Sequence, residues 1–303
     1  MATISDLPPE MVREILQYLQ DSDALNAALV CDVWRWLSNP LSEELVDLKL
    51  TFNSRCENTV EMVENRVLVH LCTCEEHLYE QCARIKAMLG MRGIDRIRNV
   101  QIADEIPKPN EGIPDVAMNV VVHRMNKDVN TVNFTDLDLS FVNFVTFAKL
   151  ARFRHINTLI FVDCTFPSDM NQGLFIRNMA PMLPTVESLE MTGTPFVNDE
   201  FGFALAKYGF SLHYVSLERC QNISAITIAS FCTRAGSDNR ERPVVFNLHS
   251  TRFNVEELHR ILRHPTVRKD KPWNVQLSDL RHLNGRFTVN LSTPQDNGYT
   301  VFY

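Results

Sequence analysis

The sequence repeats itself. Seven stretches, starting at residues 97, 129, 156, 186, 212, 243 and 272, carry an apolar residue at their fourth position and another at their sixth. The fourth positions are Val100, Val132, Leu159, Leu189, Val215, Phe246 and Val275; the sixth are Ile102, Phe134, Phe161, Met191, Leu217, Leu248 and Leu277. This period of two is that of a strand buried on one face. The starts are 32, 27, 30, 26, 31 and 29 residues apart, room for one strand and one helix each. Segments with helical spacing lie between them, such as Phe203, Ala204, Leu205 and Tyr208, or Val255, Leu258, Ile261 and Leu262. One strand-helix unit cannot cover its own apolar face, whereas stacked units share a core, so the pattern predicts an α/β chain built as a β-α solenoid. Two fainter copies precede the seven, with Leu48 and Leu50, and with Val69 and Leu71.

The L-x-x-L-x-L-x-x-C/N arrangement, over about residues 45 to 280, resembles leucine-rich repeats, which implies a horseshoe. The ninth position departs from that family. Where the resemblance implies Asn or Cys bonded to a buried turn, this chain has Glu105, Leu137, Cys164, Thr194, Cys220, Thr251 and Leu280. Only the two cysteines match, and the threonines are expected to serve through their hydroxyls. A doubly wound α/β domain shares the strand-helix alternation, but ten glycines in 303 residues are few for phosphate-cradling loops. The tail alternates as Phe287, Val289, Leu291 and, beyond PQDNG, as Tyr299, Val301, Tyr303, which reads as a hairpin covering the edge of the last repeat.

The first forty residues follow a different period. Met11, Val12, Ile15, Leu16 and Leu19 share one helical face, with Pro8 and Pro9 at the helix start and Ser5 or Asp6 near the cap. Asp23 is placed to cap a second helix through Leu25, Ala28 and Leu29; a third carries Val30, Cys31, Trp34 and Leu37 before Asn39-Pro40. Three helices this short bury too little surface to stand alone, so part of their apolar surface has to pack on something else.

The ordered set Leu7-Pro8, Glu10, Met11-Val12, Ile15-Leu16, Leu19, Asp23, Leu25, Leu29-Val30-Cys31 and Trp34-Arg35 resembles the F-box motif. That resemblance implies docking onto the Skp adaptor of a cullin-RING ubiquitin ligase. Leu7, Pro8, Met11, Ile15, Leu16, Leu19, Leu25, Val30, Cys31 and Trp34 are the adaptor-binding residues it implies, with Trp34 as the aromatic anchor. Trp36 matches no signature position and is expected to pack toward the following domain. The chain thus divides into a three-helix F-box over 1–44 and the repeat domain over 45–303, with no Gly/Ser-rich linker between them.

The remaining features exclude more than they add. A balance of 30 Lys+Arg against 37 Asp+Glu, net charge −7, disfavours nucleic acid as the main partner. The start lacks the basic and apolar regions of a signal peptide and no stretch has about 18 apolar residues, so cytoplasm or nucleus is the expected location and no membrane the expected partner. The eight cysteines sit mostly inside apolar runs and read as reduced core residues. His70, Cys72, Cys74, His77 and Cys82 do not have the spacing of familiar zinc sites, and neither a metal nor another cofactor is expected. No nucleophile elbow, H-E-x-x-H, Walker loop or dinucleotide fingerprint occurs, which points to a non-catalytic receptor subunit.

For such a receptor the substrate face is the outward side of the repeat strands, at the third, fifth and seventh positions. Asn133, Ile160, Val162, Glu190, Tyr214, Glu218, Asn247 and His249 are the candidate substrate-binding residues. Ile160, Val162 and Tyr214 are expected to form an apolar patch rimmed by Asp163 and Arg219, and no arginine cluster is present there for a phosphorylated peptide. Taken together, the sequence predicts the substrate-recognition subunit of an SCF-type ligase that leads its clients to ubiquitination and proteasomal degradation. A non-degradative interaction scaffold is the alternative.

Overall fold

Strand phase follows directly from the alternation of apolar residues, and the computed structural model of the protein shows it strand by strand. It describes residues 7–19, 23, 27, 30, 34, 47–53, 59–63, 66–72, 79–80, 82–83, 86, 97–104, 113–125, 129–143, 145–146, 149, 156–232, 243–263, 274–280 and 286–292. The chain divides into two compact units, residues 1–155 and 156–303.

The first unit holds α1 (Pro9–Gln17), β1 (Asp47–Asn53), β2 (Thr59–Val63), β3 (Arg66–Cys72), β4 (Asn99–Asp104), α2 (Asp115–Arg124) and β5 (Thr131–Thr135). Its strands lie in the order β5-β4-β1-β3-β2, parallel except for β2. Register keeps the inward residues level: Leu48, Val100 and Val132 form one buried row, and Leu50, Ile102 and Phe134 the next. The two fainter copies are strands as expected, with Val69 and Leu71 also buried, but they do not stack in chain order. β1 lies between β3 and β4. β2 and β3 pair antiparallel, and β3 takes one edge of β1 while β4 takes the other.

In the second unit β6 (Thr158–Val162), β7 (Ser188–Thr192), β8 (Tyr214–Glu218) and β9 (Val244–His249) are parallel neighbours in chain order. The helices α3 (Gln172–Met179), α4 (Asp199–Tyr208), α5 (Ala225–Phe231) and α6 (Val255–Leu262) alternate with them. Leu159, Leu189, Val215 and Phe246 fill one buried row; Phe161, Met191, Leu217 and Leu248 fill the other. The seventh stretch breaks the sequence. β11 (Arg286–Ser292) inserts between β9 and β10 (Asn274–Leu280), antiparallel to both. The terminal hairpin is therefore β10 with β11, not Phe287–Leu291 with the tail, whose last residues lie outside those described.

Strands β5 to β9 leave by the same backbone turn. The residue directly after it is left-handed: Asp136, Asp163, Gly193, Arg219 and Ser250 have φ of 53°, 51°, 66°, 53° and 53°. In three of these the amide then bonds one rung across, Asp163 to Thr192 O, Gly193 to Glu218 O and Arg219 to His249 O. Reversal within one residue is what lets the next one re-enter the core. Leu137, Cys164, Thr194 and Cys220, the ninth positions, are all buried there. The Cys164 and Cys220 thiols reach the carbonyls two residues back, Val162 O at 3.5 Å and Glu218 O at 3.4 Å. The threonines divide. Thr251 Oγ1 accepts from the Phe253 amide at 3.3 Å, whereas the buried Thr194 Oγ1 has no partner, contrary to the role expected of it.

Side-chain oxygens start the helices. Asn171, Asn198, Ser224 and Asn254 cap α3 to α6, each accepting an amide from the first turn. The first helical residue of one repeat also holds the cap of the next. Asp199 accepts from the Ser224 amide (2.9 Å), the Ser224 hydroxyl (2.7 Å) and the Thr227 hydroxyl (2.7 Å). Asp115 does the same for Asn143 and Thr146 in the first unit, and Gln172 donates to Asn198 Oδ1.

Candidate functional site

Two surfaces gather the residues singled out from sequence. The first belongs to α1. Pro8 occupies its N-cap position and Pro9 its first turn, and no side chain caps it; Ser5 and Asp6 lie outside the described residues. The expected single apolar face is in fact two adjacent stripes. Val12 and Leu16 are buried with Ala27, and Leu7, Leu19 and Trp34 pack half-buried against them. One residue back along the helix, Met11, Ile15 and Tyr18 form a second stripe at i, i+4, i+7 that faces solvent, and Val30, outside α1, is exposed as well. These four are 40% to 89% exposed, so nothing described in the chain covers them.

The sites implied for adaptor binding thus separate by role. Leu16 is a core residue of the small helical module, and Trp34, helical like Asp23 and Ala27, leans on that core. Pro8, Met11, Ile15 and Val30 are outward. Leu25, Cys31 and Trp36 lie outside the described residues. Tyr18, the most exposed of the stripe, was missed from sequence because it matches no motif position, although its helical spacing from Met11 and Ile15 is plain.

The second surface is the outward face of the strands in residues 156–303. Ile160, Val162, Glu190, Tyr214, Glu218, Asn247 and His249 all lie on it, each half-buried. The Tyr214 hydroxyl accepts from Asn247 Nδ2 at 3.0 Å, and Asn247 Oδ1 accepts from the Thr288 hydroxyl at 3.1 Å. Glu218 and His249 are register partners, with Oε1 3.1 Å from a buried Nδ1 but outside hydrogen-bond alignment. Thr288 joins this row only because β11 replaces the expected parallel strand. Asn133, on β5 of the first unit, accepts from the Thr135 hydroxyl at 2.7 Å.

The expected apolar patch is not continuous. Ile160 and Val162 stand on β6 and Tyr214 on β8, with Ser188, Glu190 and Thr192 of β7 between them. Two strand spacings amount to roughly 9 to 10 Å, and the Tyr214 hydroxyl turns the other way, toward β9. Nor do Asp163 and Arg219 stand free at the rim. The guanidinium Nη2 lies 2.6 and 2.5 Å from the two Asp163 carboxylate oxygens, bridging the ends of β6 and β8.

Other candidate chemistry resolves into packing. The Cys220 thiol is pushed up to about 11 by burial and Cys232 to about 12, so both stay protonated and unreactive near neutral pH. Glu256 and Glu257 open α6 under the Asn254 cap, as solvated helix-start acids do. Among the described residues no three His, Cys, Asp or Glu side chains converge as metal ligands, and no helix is long and apolar enough to cross a membrane. Cys74 and His77 lie outside the described residues.

Residues 4–41 match the model of the F-box-like family. The module built around Val12, Leu16 and Ala27 is thus an F-box-like domain, a type that serves protein-protein interaction and generally binds the Skp adaptor. No curated protein matches the chain.

Proposed function

We propose that the F-box-like domain docks on the Skp adaptor through the outward stripe of α1, and that the strand-helix repeats behind it are leucine-rich-like and hold a protein client for ubiquitination. The supporting observation is the double stripe itself. A helix that fills a small core with Val12, Leu16 and Leu19 and still presents Met11, Ile15 and Tyr18 has apolar surface to spare, and covering an aliphatic side chain contributes about 1.5 to 3 kcal/mol. The chain supplies no acid, base or nucleophile in this reading. It contributes proximity, raising the effective concentration of client near the charged ubiquitin carrier. The client face is the outward row of Glu190, Tyr214, Glu218, Asn247, His249 and Thr288, in which Tyr214, Asn247 and Thr288 are preset by one another's hydrogen bonds. Cytoplasm or nucleus, where the adaptor works and thiols stay reduced, is the location that suits this reading.

The test is binding of the full chain to the isolated Skp adaptor. Ile15→Asp is expected to weaken it at least tenfold while the circular dichroism spectrum stays unchanged, because Ile15 already faces water. Tight binding by Ile15→Asp and Met11→Asp alike would refute the docking face. Reconstitution with cullin and RING subunits then separates receptor from scaffold: client ubiquitination has to depend on this chain.

A further inference from the structure

We propose that the first unit carries a binding site for a phosphate monoester on its helical side, formed by Lys86, Lys149, His123 and Asn119. This site is independent of the adaptor-docking face and of the strand face. A cavity of about 410 Å³ opens there, lined by those four side chains and Val120. Its volume falls in the range of small-molecule pockets, so it has room for more than orthophosphate. None of the described residues that line it is a carboxylate, in a chain whose acids outnumber its bases by seven.

The residues arrive there by ordinary helix geometry. On α2, Ala117, Met118, Val121 and Val122 face the core, which turns Asn119, Val120 and His123 to the other side. Asn119 and His123 are one turn apart, i to i+4. Lys149 comes from the following segment, and its Nζ donates to Asn119 Oδ1 at 2.6 Å. That bond fixes the ammonium at the pocket without neutralising it, since the partner is an uncharged amide. An ammonium has three donors, so two remain, and the Asn119 amide nitrogen adds its own. Lys86 brings a second ammonium and His123 an imidazole N–H.

Two fixed positive charges and several N–H donors, with no acid among the described lining residues, match a dianion with three acceptor oxygens better than a singly charged carboxylate. Lysine serves such groups as a point charge, without the planar fork that a carboxylate pairs with. Three basic side chains are too few for a nucleic-acid backbone on a chain of net charge −7. The phosphate can come from a small metabolite or from a phosphorylated serine of a protein, and the probes distinguish them.

The experiment titrates the full chain with inorganic phosphate, O-phosphoserine and a phosphoserine peptide, beside serine and the unphosphorylated peptide, by calorimetry at low salt. Binding of the phosphorylated probes alone is expected, and Lys149→Gln and Lys86→Gln are each expected to weaken it about ten- to a hundredfold, as loss of one charge-assisted contact does. Tightest binding by the phosphopeptide assigns the source to a protein; equal or tighter binding by the small probes assigns it to a metabolite. Lys86, which takes no part in the Lys149–Asn119 hydrogen bond, guards against a packing effect at Lys149. Absence of saturable binding by all three phosphorylated probes, or binding that neither substitution weakens, overturns the proposal.

Discussion

Gly193 sits where two demands meet, and replacing it with alanine separates them. Its φ of 66° is the left-handed conformation, which costs an L-residue about 1 to 2 kcal/mol. Asp136, Asp163, Arg219 and Ser250 bear that conformation at the equivalent turns, so the backbone alone does not demand glycine. The second demand is local. Asp163 reaches over this rung to Arg219, and a Cβ on residue 193 would fall 2.6 Å from Asp163 Oδ1. The carboxylate is the end of a flexible side chain and moves aside, and the ion pair goes with it. With the two side chains 51% and 35% exposed, that pair contributes at most about 1 kcal/mol. Gly193→Ala is therefore expected to destabilise by about 1 to 3 kcal/mol, measured by urea denaturation followed by circular dichroism. In an Asp163→Ser background, with the overhanging carboxylate gone and a residue that Ser250 shows the turn accepts, only the backbone part should remain. The expected coupling is about 0.5 to 1 kcal/mol. Equal costs in both backgrounds would refute the steric argument, and a neutral Gly193→Ala would refute both parts.

Three further outcomes follow from contacts between repeats and from buried thiols. Asp199→Ala removes three hydrogen bonds to Ser224 and Thr227 and is expected to cost about 2 to 3 kcal/mol, with Asp199→Asn intermediate because one acceptor oxygen survives; identical melting of all three proteins would show the ladder to be idle. Cys220 and Cys232 should resist iodoacetamide at about pH 8 in the native chain and react fully in urea, which mass spectrometry reads directly. Since burial raises the Cys220 thiol from 9.0 to about 11, the folded state keeps a proton that the unfolded chain sheds. Its contribution to stability is complete below pH 9.0 and declines as pH rises toward about 11, so alkaline denaturation should be delayed in Cys220→Ser only if this linkage operates.

Strand phase was legible because it is a local property. Every inward position of β4 to β9 is buried as the alternation requires, from Val100 to Leu248. Strand order was not legible. β10 and β11 both alternate correctly, yet alternation is silent on which neighbour a strand pairs with; the one local clue was Asn284-Gly285 between them, a hairpin dipeptide passed over in favour of PQDNG. The placement of β1 between β3 and β4 escaped likewise, since the antiparallel pairing of β2 with β3 interrupts the stacking that the spacing suggested. On α1 the periodicity merged Met11 and Ile15 with Val12 and Leu16, because stripes about 100° apart blend into one wide apolar arc. Burial distinguishes them: the inner stripe makes the domain, and the outer one is available to a partner. The candidate strand face was legible as a set of positions but not as an arrangement, because hydrogen bonds such as Tyr214 to Asn247 depend on rotamers that no spacing encodes.

The reversal at β11 bears on how this array can lengthen. A duplicated strand-helix segment entering anywhere from β6 to β9 finds a parallel partner on either side and preserves every rung, whereas one appended after β9 would have to displace an antiparallel strand already bonded along its whole length. Within the second unit, tandem copying is thus accommodated most simply between β6 and β9, where an added strand meets parallel partners on both edges.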